Sequence, residues 1–137
     1  MESSMTTKPM AKIHVATATN EQLNWLAAKL ADIEVRITQD MDLIALSQNE
    51  RLDCYPDDSF CPATQASQGW PMVEHRPIVS EPHPHHGWVA RVAYYDGDSD
   101  VDFLNYKGDT RLQAMLRCLL ANTSGEEAEV PVSLIQQ

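Results

Sequence analysis

The chain has 137 residues, with ten basic and twenty acidic side chains, a formal net charge of −10 and a pI near 4.7. Such a length suits one domain with its own core, and so strong a negative charge opposes binding to nucleic-acid phosphates. The lysines and arginines are scattered along the sequence, so we expect no direct nucleic acid binding.

The cysteines and the hydrophobicity of the sequence indicate the cellular compartment in which the protein occurs. The three cysteines are odd in number and irregularly spaced, and residues 1–18 contain no apolar segment typical of a signal peptide. No apolar stretch of the sequence is long enough to cross a bilayer, so we expect no membrane association and a reducing cytoplasm. Residues 1–9 are small and polar, and they are predicted to be a flexible leader to a single α+β domain over residues 10–137.

The first predicted helix begins near Asn20. Either Thr19 or Asn20 can cap it, and Glu21 in its first turn suits the helix dipole. Its apolar residues recur at the spacing of one helix face, at Leu23, Leu26, Ala27 and Leu30. Two short strands, or one broken strand, are predicted between Ile33 and Leu52.

The segment from Asp53 to His86 contains six prolines, which remove backbone donors and restrict the residues before them. We therefore expect a long irregular segment packed on the domain. Alternation from Trp88 to Tyr95 predicts a strand, and residues 101–106 predict a return strand. The two strands are expected to form a hairpin across the turn-rich acidic stretch between them.

The last predicted helix begins after Asp109, a suitable N-cap, and ends at Gly125. It carries a broad apolar stripe at Leu112, Met115, Leu116, Leu119 and Leu120. Together the elements predict an α+β fold, with a small antiparallel sheet, two main helices packed on one face and a long proline-rich loop segment over an edge.

Three runs of sequence carry a family resemblance. They are QLNWLAAKLADIEV (Gln22–Val35), FCPATQASQGWPMVE (Phe60–Glu74) and DTRLQAMLRC (Asp109–Cys118). On these motifs the chain resembles the NinX-like family of small bacteriophage and prophage proteins, whose function is largely uncharacterised. The positions that agree or nearly agree are Trp25, Ala28, Lys29, Phe60, Pro62, Thr64, Gln68, Gly69, Pro71, Glu74, Trp88, Thr110, Ala114, Met115, Arg117, Cys118, Val130 and Pro131.

Two departures from the family pattern lie in the central run. Gln65 and Ala66 replace an Asp-Trp pair, and Trp70 stands where the family has the second glycine of Gly-Gly-Pro. A residue before proline favours extended backbone angles, which do not require glycine. If the family motif binds through its Asp-Trp pair, this chain has altered that contact, and the indole of Trp70 can replace the missing one.

The motifs supply the candidate ligand- or partner-binding residues, which are Thr64, Gln68, Gly69, Trp70, Glu74, Trp88 and Arg117. In the functional interpretation, the central run and the last helix form one surface with a groove that presents donors and acceptors. In the structural interpretation, the same side chains satisfy backbone groups of the proline-rich segment, or Arg117 pairs with Glu74 alone.

Metal and catalytic signatures are weak. His83, His85 and His86 form the only histidine cluster, but their spacing is not a structural-zinc pattern and we expect a solvated loop without metal. The acidic run at residues 96–102 does not continue into the glycine and glutamate of a calcium loop. No nucleophile lies beside a base, and Cys118 fits a helix core, so we expect no catalytic residue and no cofactor.

The resemblance implies a phage or prophage protein made in the host bacterial cytoplasm. With the acidic charge, it favours a non-enzymatic accessory protein that binds and modulates a host or defence-system protein, in one form as an acidic inhibitor that mimics nucleic acid. The alternative is a protein that binds a small anionic ligand, a nucleotide or metabolite, in a groove lined by Trp70, Trp88, Tyr94 and Arg117. The sequence leaves the oligomeric state open.

Overall fold

The computed structural model describes residues 9–85, 87–92 and 105–135, which fold as an α+β structure. In chain order, these residues form β1 (Met10–His14), α1 (Asn20–Leu30), β2 (Val35–Ile37), β3 (Leu43–Ala45), α2 (Ala66–Val73), β4 (Ile78–His83), β5 (Gly87–Val92), β6 (Tyr106–Gly108), α3 (Arg111–Ser124) and β7 (Glu127–Pro131). Short 3-10 helices lie at Val15–Thr17, Glu50–Leu52 and Val132–Leu134.

Helix α1 begins at Asn20, as predicted. Thr19 caps it, because its hydroxyl accepts from the backbone N–H of Gln22 at 3.2 Å and the Gln22 side chain accepts from the Thr19 N–H at 3.0 Å. This capping box satisfies two amides that a helix start otherwise leaves without partners. Gln22 also donates from Nε2 to the carbonyl of Leu134 at 3.0 Å, which fixes the helix start against the C-terminal part of the chain.

Helix α3 begins one residue later than predicted. Its N-cap is Thr110, not Asp109, because the Thr110 hydroxyl accepts from the backbone N–H of Gln113 at 3.0 Å. The N–H of Asp109 donates to Oε1 of the same glutamine at 2.7 Å, so Asp109 contributes its backbone rather than its carboxylate. The predicted end at Gly125 is confirmed, and the positive φ of 98° there is a conformation that favours glycine.

The strands form three separate antiparallel sheets within the described ranges, so the expectation of one sheet is wrong. β1 pairs with β7, β2 pairs with β3, and β4, β5 and β6 form a three-stranded sheet in that order. The β1–β7 pair joins the two ends of the described chain. The alternation of apolar and polar residues within one strand does not indicate a pairing strand so far away in the sequence.

The predicted hairpin is present as β5 and β6. Its first strand ends the described range at Val92, and its return strand covers Tyr106–Gly108. Residues 93–104, which include the predicted turn and Tyr94, lie outside the described residues. The two short strands predicted between Ile33 and Leu52 are β2 and β3.

The expectation of an irregular segment from Asp53 to His86 is wrong in two places. The segment contains helix α2, with Pro71 inside it, and strand β4, with Pro82 near its end. Burial against α3 outweighs the hydrogen bond that Pro71 removes from α2. Pro82 is tolerated because β4 is an edge strand of its sheet. On its outer side no neighbouring strand requires a hydrogen bond from the backbone nitrogen.

Helix α3 lies at the centre of the hydrophobic core. It contacts α1, α2 and all three strands of the β4–β5–β6 sheet, and most of its side chains are buried. Helix α1 packs mainly on α3, β3 and β7. The expected pair of helices on one face of one sheet is therefore replaced by a single central helix that other elements surround.

Pro9 belongs to the predicted leader but is hydrogen-bonded to the domain. Its carbonyl accepts a hydrogen bond from the N–H of Val132 at 3.1 Å, whereas residues 1–8 of the predicted leader lie outside the described residues. In the part of the chain that the structure describes, no helix has both the length and the apolar character that crossing a membrane requires.

Candidate binding site

Two tryptophans and an arginine stack together where α2, β5 and α3 meet. The guanidinium carbon of Arg111 lies 5.2 Å from the ring centre of Trp70 and 5.9 Å from that of Trp88. Both indoles are half-buried and Arg111 is exposed, so the group forms part of the molecular surface. We call Trp70, Trp88 and Arg111 the tryptophan–arginine cluster. Such cation–aromatic contacts are attractive because the face of an indole carries partial negative charge.

Gly69 explains how α2 comes close enough to place Trp70 there. A Cβ atom at this position would clash with the carbonyl oxygen of Pro62 and would lie 2.8 Å from Cδ2 of Leu112 on α3. Only a residue without a side chain permits this approach. Gly69 is therefore a packing residue, and the predicted contact between the central run and the last helix is confirmed.

Arg111 is held at one nitrogen and open at the other two. Its Nε donates to the hydroxyl of Ser80 on β4 at 2.9 Å, which fixes the plane of the guanidinium. Among the described residues, its two terminal nitrogens form no hydrogen bond and Arg111 joins no ion pair. The side chain can therefore donate to a carboxylate or phosphate without breaking an internal contact.

A cavity of about 540 Å³ adjoins the cluster. Trp70 and Arg111 form one side, and Asn20, Thr64 and Gln113 contribute polar groups. The first residues of α1, α2 and α3, which are Asn20, Ala66 and Arg111, all border this cavity. We call it the first cavity; its volume lies in the range of small-molecule sites.

A second cavity of about 130 Å³ lies beside the first, and Asn20 and Thr64 line both. Its own side carries Glu21 from the first turn of α1 and Asp42 from the turn between β2 and β3. Neither carboxylate forms an ion pair within the described ranges. The second cavity thus carries two carboxylates, whereas the first carries the cation Arg111 together with the carboxylate of Asp109.

Gln68 has a structural role in this arrangement. Its buried amide accepts from the N–H of Cys61 at 2.7 Å and donates to the carbonyl of Ser59 at 2.9 Å. The side chain bridges the irregular chain before α2, and both its amide oxygen and its amide nitrogen are hydrogen-bonded to that chain. The structural interpretation of this motif position therefore fits its contacts.

Glu74 and Arg117 also lie outside the cavity linings. Arg117 donates to the carbonyl of Lys107 and to that of Ala18, each at 2.7 Å, and Glu74 is exposed. The arginine of the stacked group is therefore Arg111 and not Arg117, and no ion pair joins Arg117 to Glu74 in the described part of the chain. Burial lowers the pKa of Arg117, as expected for a guanidinium held by neutral carbonyls.

Sequence reasoning missed Arg111 because the signal lies in strand register. Trp88 pairs with Gly108 across the β5–β6 ladder, and α3 begins three residues after that position. This spacing brings Arg111 back over β4 and β5, near Trp88. Neither the register nor the start of the return strand can be read from alternation alone.

The histidine cluster is described in part. The ring centres of His83 and His85 lie 6.2 Å apart, and His86 and residues 96–102 lie outside the described residues. Where the structure describes the chain, no group of three or more His, Cys, Asp or Glu side chains is arranged to hold a metal ion.

No protein-family model matches the chain, and no curated protein matches it. The NinX-like resemblance therefore stays a prediction that rests on the motifs quoted above. The site must be interpreted from its own geometry, which brings together Thr64, Trp70 and Trp88 of the predicted residues and adds Arg111.

Proposed function

We propose that this protein is a phage- or prophage-encoded, non-enzymatic accessory protein that binds and modulates a host or defence-system protein in the bacterial cytoplasm. The observation that carries the proposal is the tryptophan–arginine cluster, in which Arg111 lies over two half-buried indoles and two of its nitrogens form no hydrogen bond to the described residues. The motif resemblance supplies the phage context.

Tryptophan and arginine are the residue types most enriched among energetically dominant positions of protein interfaces. A half-buried indole offers a large rigid surface at little cost in conformational entropy, and a fixed guanidinium offers directed hydrogen bonds. The chain as a whole carries a net charge of −10, so a partner with a basic surface complements it best. One acidic group within that surface would contact Arg111.

A capture experiment tests this function, with the wild-type protein immobilised in extract from infected or lysogenic bacterial cells. The test variant combines Trp70→Ala with Arg111→Gln. The control variant combines Trp25→Ala with Lys29→Gln, because the ammonium of Lys29 lies 4.9 Å from the centre of the Trp25 ring and forms a similar stack outside both cavities.

We expect at least one protein to bind to the wild-type and control baits and not to the test variant. Quantitative mass spectrometry of the bound fractions measures this difference. Equal retention by the test variant, or no specific capture by the wild-type bait, would contradict the proposal. Circular dichroism of each bait verifies that the variants are folded.

A second function is favoured by the size of the first cavity. Its volume of about 540 Å³ accommodates a small anionic ligand, such as a nucleotide or metabolite, with a ring against Trp70 and an acidic group at Arg111. A thermal-shift panel of nucleotides and aromatic carboxylates tests this reading. A ligand that raises the Tm in proportion to the logarithm of its concentration supports it, and Arg111→Gln must remove that rise.

A further inference from the structure

The two neighbouring cavities carry charged side chains of both signs. Arg111 lines the first, Glu21 and Asp42 line the second, and Asn20 and Thr64 line both. Among the described residues none of the three charged side chains forms an ion pair. The two cavities therefore offer charges of both signs to a ligand that reaches both.

We propose that the joined cavities select a segment that carries both an acidic and a basic group, with the acidic group at Arg111 and the basic group at Glu21 and Asp42. This inference rests on the proposed partner binding and names the chemistry of the partner segment. A peptide with an aspartate or glutamate near a lysine or arginine has this character.

Arg111, the backbone of Asp42 and the side chain of Asn20 are each held by a hydrogen bond. Ser80 fixes Arg111 through Nε, as described above, and the N–H of Asp42 donates to the hydroxyl of Thr38 at 3.1 Å. This hydrogen bond stabilises the turn between β2 and β3 that carries Asp42. Asn20 is fixed as well, because its Oδ1 accepts from Nε2 of Gln113 at 2.6 Å.

One further carboxylate, that of Asp109, borders the first cavity. It is exposed and forms no ion pair within the described part of the chain, so it does not neutralise Arg111 by direct contact. The start of α3 adds positive potential at the same place, because the amides of a first helical turn point outward. The arginine end therefore favours an anion.

The experiment uses linear ω-amino acids as probes, in a series of increasing chain length from glycine to aminooctanoate. Each is compared with the unsubstituted carboxylate and the alkylamine of the same length. Binding to the full-length protein is followed by two-dimensional ¹H–¹⁵N NMR, in which the amides of Asn20, Asp42, Thr64 and Arg111 report on the site. Four proteins are titrated: the wild type, Arg111→Gln, the pair Glu21→Gln with Asp42→Asn, and Glu129→Gln as the matched control on the exposed side of β7.

The expected result is a preferred chain length at which the ω-amino acid binds at least about fivefold more tightly than the matching carboxylate, the upper range for one exposed ion pair. The Glu21→Gln and Asp42→Asn pair should remove this preference and keep the affinity for carboxylates. Arg111→Gln should remove both, and the control should change neither. The proposal is overturned by affinity without dependence on length, by a preference that survives in the Glu21 and Asp42 double variant, or by shifts that map elsewhere.

These outcomes separate the inference from the proposed function. Length-selective binding of the probes without capture of any partner would leave the dual-charge site intact and remove the accessory-protein function. Partner capture that depends on Arg111 but is unchanged by Glu21→Gln with Asp42→Asn would keep that function and reject the dual-charge site.

Discussion

Arg111 lies over the indole of Trp70, with 5.2 Å between its guanidinium carbon and the ring centre. The two residues come from different motifs, since Trp70 belongs to the central run and Arg111 to the run that forms α3. Their contact means that the two motifs build one surface. A role for either motif in binding therefore involves the other.

Replacing Arg111 with glutamine should weaken this surface without unfolding the protein. Loss of a cation–aromatic contact at a partly exposed site costs about 1 kcal/mol, so the midpoint of urea unfolding should fall slightly. The fluorescence of Trp70 and Trp88 should change because the guanidinium no longer covers them. Lys29→Gln, which removes the cation beside Trp25, is the control, and an identical emission change in both variants would show that the change is not specific to the Arg111 contact.

Replacing Gln68 with alanine should destabilise the protein far more than replacing an exposed glutamine would. The variant leaves the N–H of Cys61 and the carbonyl of Ser59 without their present partner in a part-buried region. One buried group without a partner costs about 1–3 kcal/mol. Gln65→Ala on the exposed side of the same segment should change the free energy of unfolding by less than about 0.5 kcal/mol. Equal stability of the two variants in urea unfolding would show that Gln68 has no such structural role.

Features that depend on local chemistry were predictable from the sequence. The start of α1, the end of α3 at Gly125 and the alternating strand at Trp88 follow from capping groups and periodicity. Helix α2 and strand β4 were missed because prolines argue against regular structure locally. Packing against α3 favours regular structure in both segments, and this packing joins parts of the chain about forty residues apart in the sequence.

The motifs contain Thr64 and Trp70, which line the first cavity, and Trp88, which belongs to the tryptophan–arginine cluster. Whether these residues bind a ligand or partner stays a prediction. The motifs also named Arg117, but its position on the inner side of α3 takes it to backbone carbonyls. Arg111 stands at the exposed start of the same helix, and only the register of β5 with β6 reveals that it meets the two indoles.

Replacing Gly69 with alanine should displace α2 from α3. The added methyl group would clash with the backbone oxygen of Pro62, which cannot move without shifting the chain before α2. Overpacking of this kind costs about 1–3 kcal/mol. Thermal unfolding should show a lower Tm, and NMR should show shifts at Leu112 and Trp70. Ser67→Ala, on the exposed face of α2, is the control, and a Tm for Gly69→Ala equal to that of this control would contradict the close approach.

Replacing Arg117 with methionine should lower stability and leave the first cavity unchanged. The variant keeps an unbranched apolar stem but removes the donors to the carbonyls of Lys107 and Ala18, at a cost of about 2–3 kcal/mol. Urea unfolding measures the loss, and the ω-amino acid titration checks the cavity. Weaker probe binding at unchanged stability would instead place Arg117 in the binding site.

The thiol of Cys118 should make stability depend on pH in the alkaline range. Burial in α3 raises its pKa from 9.0 to about 11, so the folded state strongly prefers the neutral thiol. Below pH 9 the thiol is neutral in both states and causes no loss. Between pH 9 and about 11 the unfolded chain releases its proton more readily than the folded chain, and the free energy of unfolding should fall by about 2–3 kcal/mol.

Cys118→Ala isolates this effect from other alkaline groups, including Tyr106, whose pKa burial also raises. The variant should be less stable at neutral pH because a buried sulfur is lost, but its stability should decline less between pH 9 and 11. The difference between the two urea-unfolding curves, plotted against pH, therefore reports on the thiol alone. Parallel curves for the two proteins would show that Cys118 ionises as readily in the folded state as in the unfolded chain, and rapid alkylation of native Cys118 at pH 8 would lead to the same conclusion.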